Sequence, residues 1–554
     1  MEHGFLLLAL GLAEPPPYTF NLDQSITCPR DISDAWLTGA IHEPVQANAS
    51  TQLAGAIAAV PSILDAQMAA LRAPSAMVIA TQGGKILFES YRGTTRLGKQ
   101  VLPTADSGFM IASNSKVFTS VMLYQLRDRG LLPQGLDTTV ASLMPGWVEP
   151  PHVSSSRRGL TLRSLATHSS GLPREIPYGD TEADILKRVG ESLMLFPQFA
   201  STAYSNLGVS LLGRTIEKAT GGKSWEDWVL DEIMTPLGMS RSGPCLRTAA
   251  DAASIIDGVD PLKPNVPIPR RFTNTSSCHW GAPAGSVFST AADMARWASF
   301  LGGTLHAPSV LDPSTVLELR GNAQMQPDGI SAIAGATFEA AFNQPTGAVH
   351  GRWQFNKLGC LDGYRSSTTI VPQLGLALFA AVASTCDFFG DGDALGFPVV
   401  DSIIPPLEAL LTKRFAHSEK ALAHAADYTG RYTCGDAAGL GQMALDRVIK
   451  EASHTMVAVE GGKMVLTGAP GGYPWLLLPK ASPADSFRMI MREPSMDTLG
   501  CHSDAYPGAQ LCHTSCFRQM ARGDIEPLVF TRNATSGEVS LMEAPGVGLR
   551  CHKV

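Results

Sequence analysis

Ser113 and Lys116 lie three residues apart in the chain's only S-x-x-K tetrapeptide. Residues at that spacing share one face of a helix, a turn apart. A hydroxyl beside an amine is a weak nucleophile beside a base, the pairing that acyl transfer needs. Tyr204-Ser205-Asn206 is the only Y-x-N. A tyrosine hydroxyl relays protons when neighbouring cations lower its pKa, and an asparagine amide can orient a polar substrate. Lys357-Leu358-Gly359 sets a cation beside a glycine, where a substrate backbone can come close and be held electrostatically. Each has a plainer reading when taken alone. These are a solvated first helical turn, a loop ahead of the apolar helix at 207–216, and a strand lead-in with a solvated lysine.

The flanking pattern decides how these side chains are held. Residues 108–112 are apolar and short. After Lys116, apolar residues recur at helical spacing (Val117, Val121, Leu123, Tyr124), Arg127, Asp128 and Arg129 mark an exposed end, and Gly130 is a stop. The pattern predicts that Ser113 opens a buried helix. A lysine carried into such a helix loses solvation, so its pKa falls and it can act as a base.

Further elements follow from the same periodicities. A helical pattern runs over 54–71. Residues 76–80, Gln82-Gly83-Gly84 and residues 85–90 form a strand–turn–strand signal. Helices dominate from Ser113 to about 301, and 364–371 and 374–379 read as strands. Strands at both ends predict one sheet that joins N- and C-terminal segments. A helix over about 397–411 is expected to pack on it, kinked or restarted at Pro405-Pro406. Beyond Ala416, short β-like runs (456–459, 464–466, 475–478) predict a separate all-β module. The expected organisation is an extension over 1–50 with a signal-like segment, a main domain over 51–415 and a β-rich domain over 416–554.

Bulk properties exclude some classes. The 554 residues are 44% hydrophobic and 17% charged, as in a folded globular protein. A net charge of -7 and a pI near 6.0, with no dense basic run, argue against a nucleic-acid partner. Residues 5–13 are apolar and far too short to span a bilayer. They have the length of a signal-peptide core, although Glu2 and His3 stand where a positive start is expected. No other segment reads as a membrane span. Three N-x-[ST] sequons (Asn48, Asn274, Asn533) and ten cysteines fit a secreted, disulfide-bonded glycoprotein. Cys245 and Cys278 are candidates for one bridge. The C-terminal Cys501, Cys512, Cys516 and Cys551, with His502, His513 and His552, do not follow zinc-finger spacing, so disulfides are expected there rather than a metal. G-x-S-x-G and H-E-x-x-H are absent from the sequence.

The three boxes, in this order, resemble those of the serine β-lactamase and penicillin-binding-protein superfamily, in its class C and esterase-like branch. The resemblance runs over roughly 70–415. The segment 160–172 (LTLRSLATHSSGL) is similar to the family's "T-L-R-x-L-L-T-H-T-S-G-L", Pro236-Leu237-Gly238-Met239 to its "P-L-G-M" turn, and 284–295 to its "G-G-L-x-S-T-A-x-D-L-A" helix entry. Asp427 to Tyr432 resembles the "Y-x-G-x-Y" opening of a following β-rich module. The whole pattern is similar to fungal-type β-lactamase-like proteins with an extra C-terminal domain. The resemblance implies an α+β fold, an antiparallel sheet flanked by helices with an all-helical region, followed by a smaller β-rich domain.

It also implies roles. Ser113 would attack a carbonyl, Lys116 and Tyr204 would share the proton traffic, and Asn206 would orient the substrate. Lys357, Gly359 and Cys360 would line the substrate site, with Lys357 at the substrate's carboxylate or polar end. The N–H groups of Ser113 and Cys360 would form the oxyanion hole, worth ~3–4 kcal/mol per donor. His168 falls in a structural segment and is expected to pack rather than act as a base. Leu358 stands where β-lactamases carry threonine, so a hydroxyl for a β-lactam carboxylate is missing; this favours an esterase or peptidase. The implied activity is a secreted serine hydrolase of an ester, amide or lactam, acting on a small molecule or peptide without metal or organic cofactor. Two alternatives stand beside it: an acyltransferase of secondary metabolism using the same site, and a silent binding protein with this fold.

Overall fold

In a computed structural model the described residues are 44–151, 159–177, 181–268, 278–321, 324–325, 331–334, 337–343, 346–348, 352–385, 396–416, 425–434, 455–460, 463–467, 475–479, 486–491, 527–544 and 549–554. The signal-like segment, the Asn274 sequon and the cysteines at 501–516 lie outside them.

Eight antiparallel strands make one sheet, in the order Lys85–Gly93, Ser75–Gln82, Leu376–Val382, Tyr364–Val371, Arg352–Leu361, Phe338–Asn343, Ser331–Ala334, Gln324–Met325. The expected joining of the chain's two ends is therefore present: Ala76 pairs with Val382 and Gln82 with Leu376. These central strands are buried on both faces, which is why they read as apolar runs rather than alternating ones. Met77, Ile79, Phe379 and Ala381 point into the helical side. Ala76, Val78, Leu378 and Val382 point to the other face, under two terminal helices.

Those helices are Thr51–Leu71 and Phe397–Ala416. Ser50 caps the first, its hydroxyl accepting the Leu53 N–H at 3.1 Å, so the helix starts before the periodic pattern does. By length and composition this 21-residue helix is apolar enough to cross a bilayer, with hydropathy 1.4, contrary to the sequence expectation; its Leu53, Val60 and Leu64 are nevertheless buried against the sheet layer. The second helix continues through Pro405 and Pro406. Burial of Ile403, Ile404, Leu407 and Leu411 offsets the lost backbone bonds. The strands at 324–343 had no clear signal in sequence, being short and rich in Ala.

Toward the C-terminus, eight further strands from Gly430–Cys434 to Leu549–Lys553 pair successively and close into a barrel, the β-rich module expected from sequence. Tyr432 pairs with Lys553 at the closure, and its hydroxyl donates to the Tyr428 carbonyl at 2.6 Å. Closing the ladder satisfies every edge strand.

Candidate active site

The short strand Gly108–Met110 pairs with Phe288–Thr290 and delivers the chain to Ile111, whose N–H donates to Val287 O at 3.1 Å. Ala112 then takes φ 51°, a left-handed value costly for a residue with a Cβ. Ser115 holds it there. Its hydroxyl donates to Ala112 O at 2.6 Å and accepts from Val287 N–H at 3.0 Å. A 3-10 turn, Ala112–Asn114, leads into the helix Ser115–Asp128. Ser113 thus sits in the turn before a buried helix rather than on its first residue. It is half-buried while Ala112 and Asn114 are buried, so its hydroxyl is the reachable group of the turn.

Lys116 is 0% exposed. Its Nζ reaches three acceptors: Ser113 Oγ at 2.9 Å, Asn206 Oδ1 at 2.8 Å and Ala284 O at 2.6 Å. Burial, helped by the nearby Lys357 charge, brings its pKa below the usual lysine value, although Tyr204 and Glu339 pull the other way. A neutral amine here keeps two protons for Asn206 and Ala284 and turns its lone pair to Ser113. Tyr204 Oη donates to the same Ser113 Oγ at 2.6 Å. Three basic side chains surround its ring, with Lys116 Nζ at 4.9 Å, Lys357 Nζ at 5.1 Å and Arg174 Cζ at 4.9 Å from the centroid. Burial pushes the phenol up, but Lys116 and Lys357 outweigh it and the net pKa is lowered.

Asn206 opens the helix Asn206–Ile216, with Ser205 as its N-cap accepting the Gly208 N–H at 2.8 Å. The Asn206 amide nitrogen donates to Glu175 at 3.2 Å, so the whole side chain is oriented. His168 lies beneath. Its Nδ1 accepts the Ser205 N–H at 3.1 Å, and its ring centroid is 4.6 Å from that of Tyr204. Burial first, then Lys357, Lys116 and Arg174, hold its pKa well below the usual value. A neutral imidazole whose lone pair already serves the backbone is a brace, not a base.

Lys357 is not a solvated strand lead-in. It lies inside the strand Arg352–Leu361, paired with Thr368, and is 0% exposed. Burial disfavours its charge, but Glu339 on the adjacent strand more than compensates and the pKa is raised. The Glu339 carboxylate pairs with Lys357 through Oε1 and accepts the Leu358 N–H through Oε2 at 3.0 Å. Pairing between the strands Arg352–Leu361 and Phe338–Asn343 reaches only Asn356 opposite Glu339, so residues 357–361 extend past it as an edge. Alternate residues point their N–H groups the same way, so Cys360 N–H faces that edge as Leu358 N–H does. Gly359 packs against the Ser113 turn: an added Cβ would overlap the Ile111 carbonyl and come to 2.5 Å from Ser366 Oγ. Cys360 is exposed and disulfide-bonded.

Ser113, Lys116, Tyr204 and Asn206 therefore share direct hydrogen bonds, Lys357 joins them across the Tyr204 ring, Gly359 backs the nucleophile turn and Cys360 follows it. Sequence reasoning missed Glu339, Glu175, the Ala284 carbonyl and the left-handed Ala112. Glu339, Glu175 and the Ala284 carbonyl reach the site through tertiary contacts, and Ala112, although beside Ser113, is missed because an alanine gives no hint of a left-handed φ. The predicted bridge Cys245–Cys278 is present, with Cα atoms 5.4 Å apart.

The sequence model of the Beta-lactamase family matches residues 60–394. Beta-lactamase-like protein 2 of Dictyostelium discoideum is 31% identical over 320 residues, covering 56% of this chain and 55% of that protein. The chain thus spans about half the length of that relative. Penicillin-binding protein 4 of Amycolatopsis lactamdurans is 29% identical over 353 residues, covering 58% of this chain and 86% of that protein. A class C beta lactamase from Rhodobacter sphaeroides superposes with TM-score 0.53 at 22% identity, over 63% of this chain and 99% of that one, which shows a shared fold. With the family match extending over more than half of the sequence, from the first sheet-layer helix to the last strand of the sheet and beyond, the chain belongs to the Beta-lactamase family.

Proposed function

We propose that the protein is a serine hydrolase that opens an ester or amide bond through an acyl-Ser113 intermediate. The observation that carries this reading is the double engagement of Ser113 Oγ, by Lys116 Nζ at 2.9 Å and by Tyr204 Oη at 2.6 Å. Either group can take the serine proton once it is unprotonated, and both have lowered pKa values.

The steps follow from the contacts. Lys116 Nζ accepts the Ser113 proton as Oγ bonds to the substrate carbonyl carbon. The carbonyl oxygen takes up negative charge against the N–H groups of Ser113 and Cys360. Collapse breaks the bond to the leaving atom, which receives the Tyr204 proton; the Lys116 ammonium then reprotonates Tyr204. Water attacks the acyl group in turn, gives its proton to the same relay, and frees Ser113. Asn206 orients the substrate and Lys357 keeps Tyr204 acidic. Leu358, half-buried and without a hydroxyl, supports an ester or peptide bond over a lactam. The disulfide supports export into an oxidising compartment, and we place the division between the catalytic and β-rich domains near residue 416.

Labelling with a fluorophosphonate tests the reading. One covalent adduct that disappears in Ser113→Ala supports it; adduct formation indifferent to that substitution refutes it.

A further inference from the structure

The Lys357 ammonium is closed off on two sides. Glu339 pairs with it, and the Tyr204 ring lies 5.1 Å away, so its charge is directed into the protein. No part of Lys357 is exposed, whereas the Glu339 side chain is 26% exposed. The group that solvent meets at this end is therefore a carboxylate. The same carboxylate caps Leu358 N–H, removing a donor that an anionic ligand could have used on this edge. Leu358 adds an apolar side chain and no donor of its own. Asn206 leads in the same direction, because its amide nitrogen is already held by Glu175, itself 70% exposed at the side chain. Arg174, 65% exposed at the side chain, is the compensating cation there; its pairing with Glu175 at 3.0 Å leaves those two residues neutral together.

We propose that Glu339 is a specificity-determining positioning residue. It neutralises Lys357 and sets the edge at 357–360 to accept esters or amides that are uncharged or amine-bearing there, and to reject those that carry a carboxylate. This rests on the serine-hydrolase reading above and names the substrate class for that site. A carboxylate brought to residues 357–360 meets Glu339, the solvent-facing charge beside Lys357, and like charges placed together disfavour binding. An amine or a neutral amide meets an acceptor.

Two fluorophosphonates that differ only in a terminal carboxylate or carboxamide, each at two chain lengths, test this. The rate of Ser113 labelling is read by mass spectrometry, and the carboxamide-to-carboxylate rate ratio is taken within one preparation, so partial misfolding of a variant cancels. In the unaltered protein the carboxamide probe labels faster, by about tenfold or more. Glu339→Gln lowers that ratio by about tenfold, and Glu339→Asp, which keeps the charge, preserves the preference. Glu339→Gln also moves the acid limb of labelling to lower pH, since Glu339 holds the Lys116 and Tyr204 pKa values up, a change that a purely structural role would not make. Equal rates for the two probes in the unaltered protein, or a ratio that Glu339→Gln leaves alone, overturns the inference while the hydrolase reading stands. Absence of Ser113 labelling by every probe overturns both.

Discussion

Gly359 lies so close to the Ile111 carbonyl that a methyl group on its Cα would overlap the oxygen. The two residues belong to different elements, the inner strand Arg352–Leu361 and the turn that presents Ser113. The contact fixes how far the strand edge stands from the nucleophile. Asn114 Nδ2 and Ser366 Oγ, 2.8 Å apart, lock the same junction, and Ser366 donates onward to Ile111 O at 2.8 Å.

Gly359→Ala must therefore push the turn and the strand apart. Backbone, not a flexible side chain, is what yields. A shift of about 1 Å at a reacting centre costs on the order of 100-fold in rate. The expected outcome is a fall of that size in the Ser113 labelling rate, with far-ultraviolet circular dichroism unchanged. Unchanged labelling would show that the junction does not set the geometry.

Tyr204→Phe removes one of the two groups on Ser113 Oγ and leaves its ring among Lys116, Lys357, Arg174 and His168. Loss of a positioned proton relay lowers rates by about 100- to 10,000-fold. Steady-state kinetics with an activated ester checks this, and the loss is expected in kcat rather than KM.

The pH profile reports the coupled pair Lys116 and Tyr204 rather than either alone. Both are lowered from ordinary values of 10.5 and 10.0. The rate therefore rises with pH through an apparent value below those and levels off above it. Lys357 lowers both groups, so Lys357→Met moves the rising limb to higher pH. Arg174, Glu339 and His168 face the same ring and stay in place. A limb that does not move, or moves to lower pH, contradicts the assigned electrostatics.

His168 makes folding itself sensitive to acid. Its folded pKa lies well below the ordinary 6.5, so below pH 6.5 the unfolded chain binds a proton that the folded one does not. The stability present above pH 6.5 is thus lost progressively as pH falls toward the folded value, by up to about 1.4 kcal/mol per unit. Denaturant unfolding of His168→Asn at pH 5 and pH 7 checks this: the variant loses less stability between the two than the parent does.

Breaking the Cys245–Cys278 bridge reopens a loop of sequence separation 33 in the unfolded chain. Cross-links of that span contribute about 3–4 kcal/mol. Cys245→Ser/Cys278→Ser is expected to lower unfolding free energy by that amount without changing the pH profile of labelling.

The sequence carried the site's local logic and lost its tertiary part. Ser113, Lys116 and the buried helix behind them share one short stretch whose periodicity is visible. The helix after Tyr204-Ser205-Asn206 was visible too, although it starts at Asn206, one residue earlier than the apolar pattern, with Ser205 as its cap. Lys357 was placed at the site by its resemblance alone, and its burial left no local trace because it comes from strands that pair at a distance; its counter-ion Glu339 sits in a short Ala-rich strand with no strong propensity. The positive φ at Ala112 left no trace, since alanine gives no hint of a left-handed residue. The terminal helices were visible as apolar runs, but Pro405-Pro406 suggested a break that packing overrides.

The most direct test of the central claim is peptide mapping after brief exposure to a slowly released acyl donor. Trypsin yields residues 100–116, which hold Ser107, Ser113 and Ser115 together with Lys116. One acyl group is expected, with fragment ions placing it on Ser113 and its lifetime greatly extended in Tyr204→Phe. An acyl group found elsewhere, or unmodified peptide while substrate is consumed, would contradict that claim.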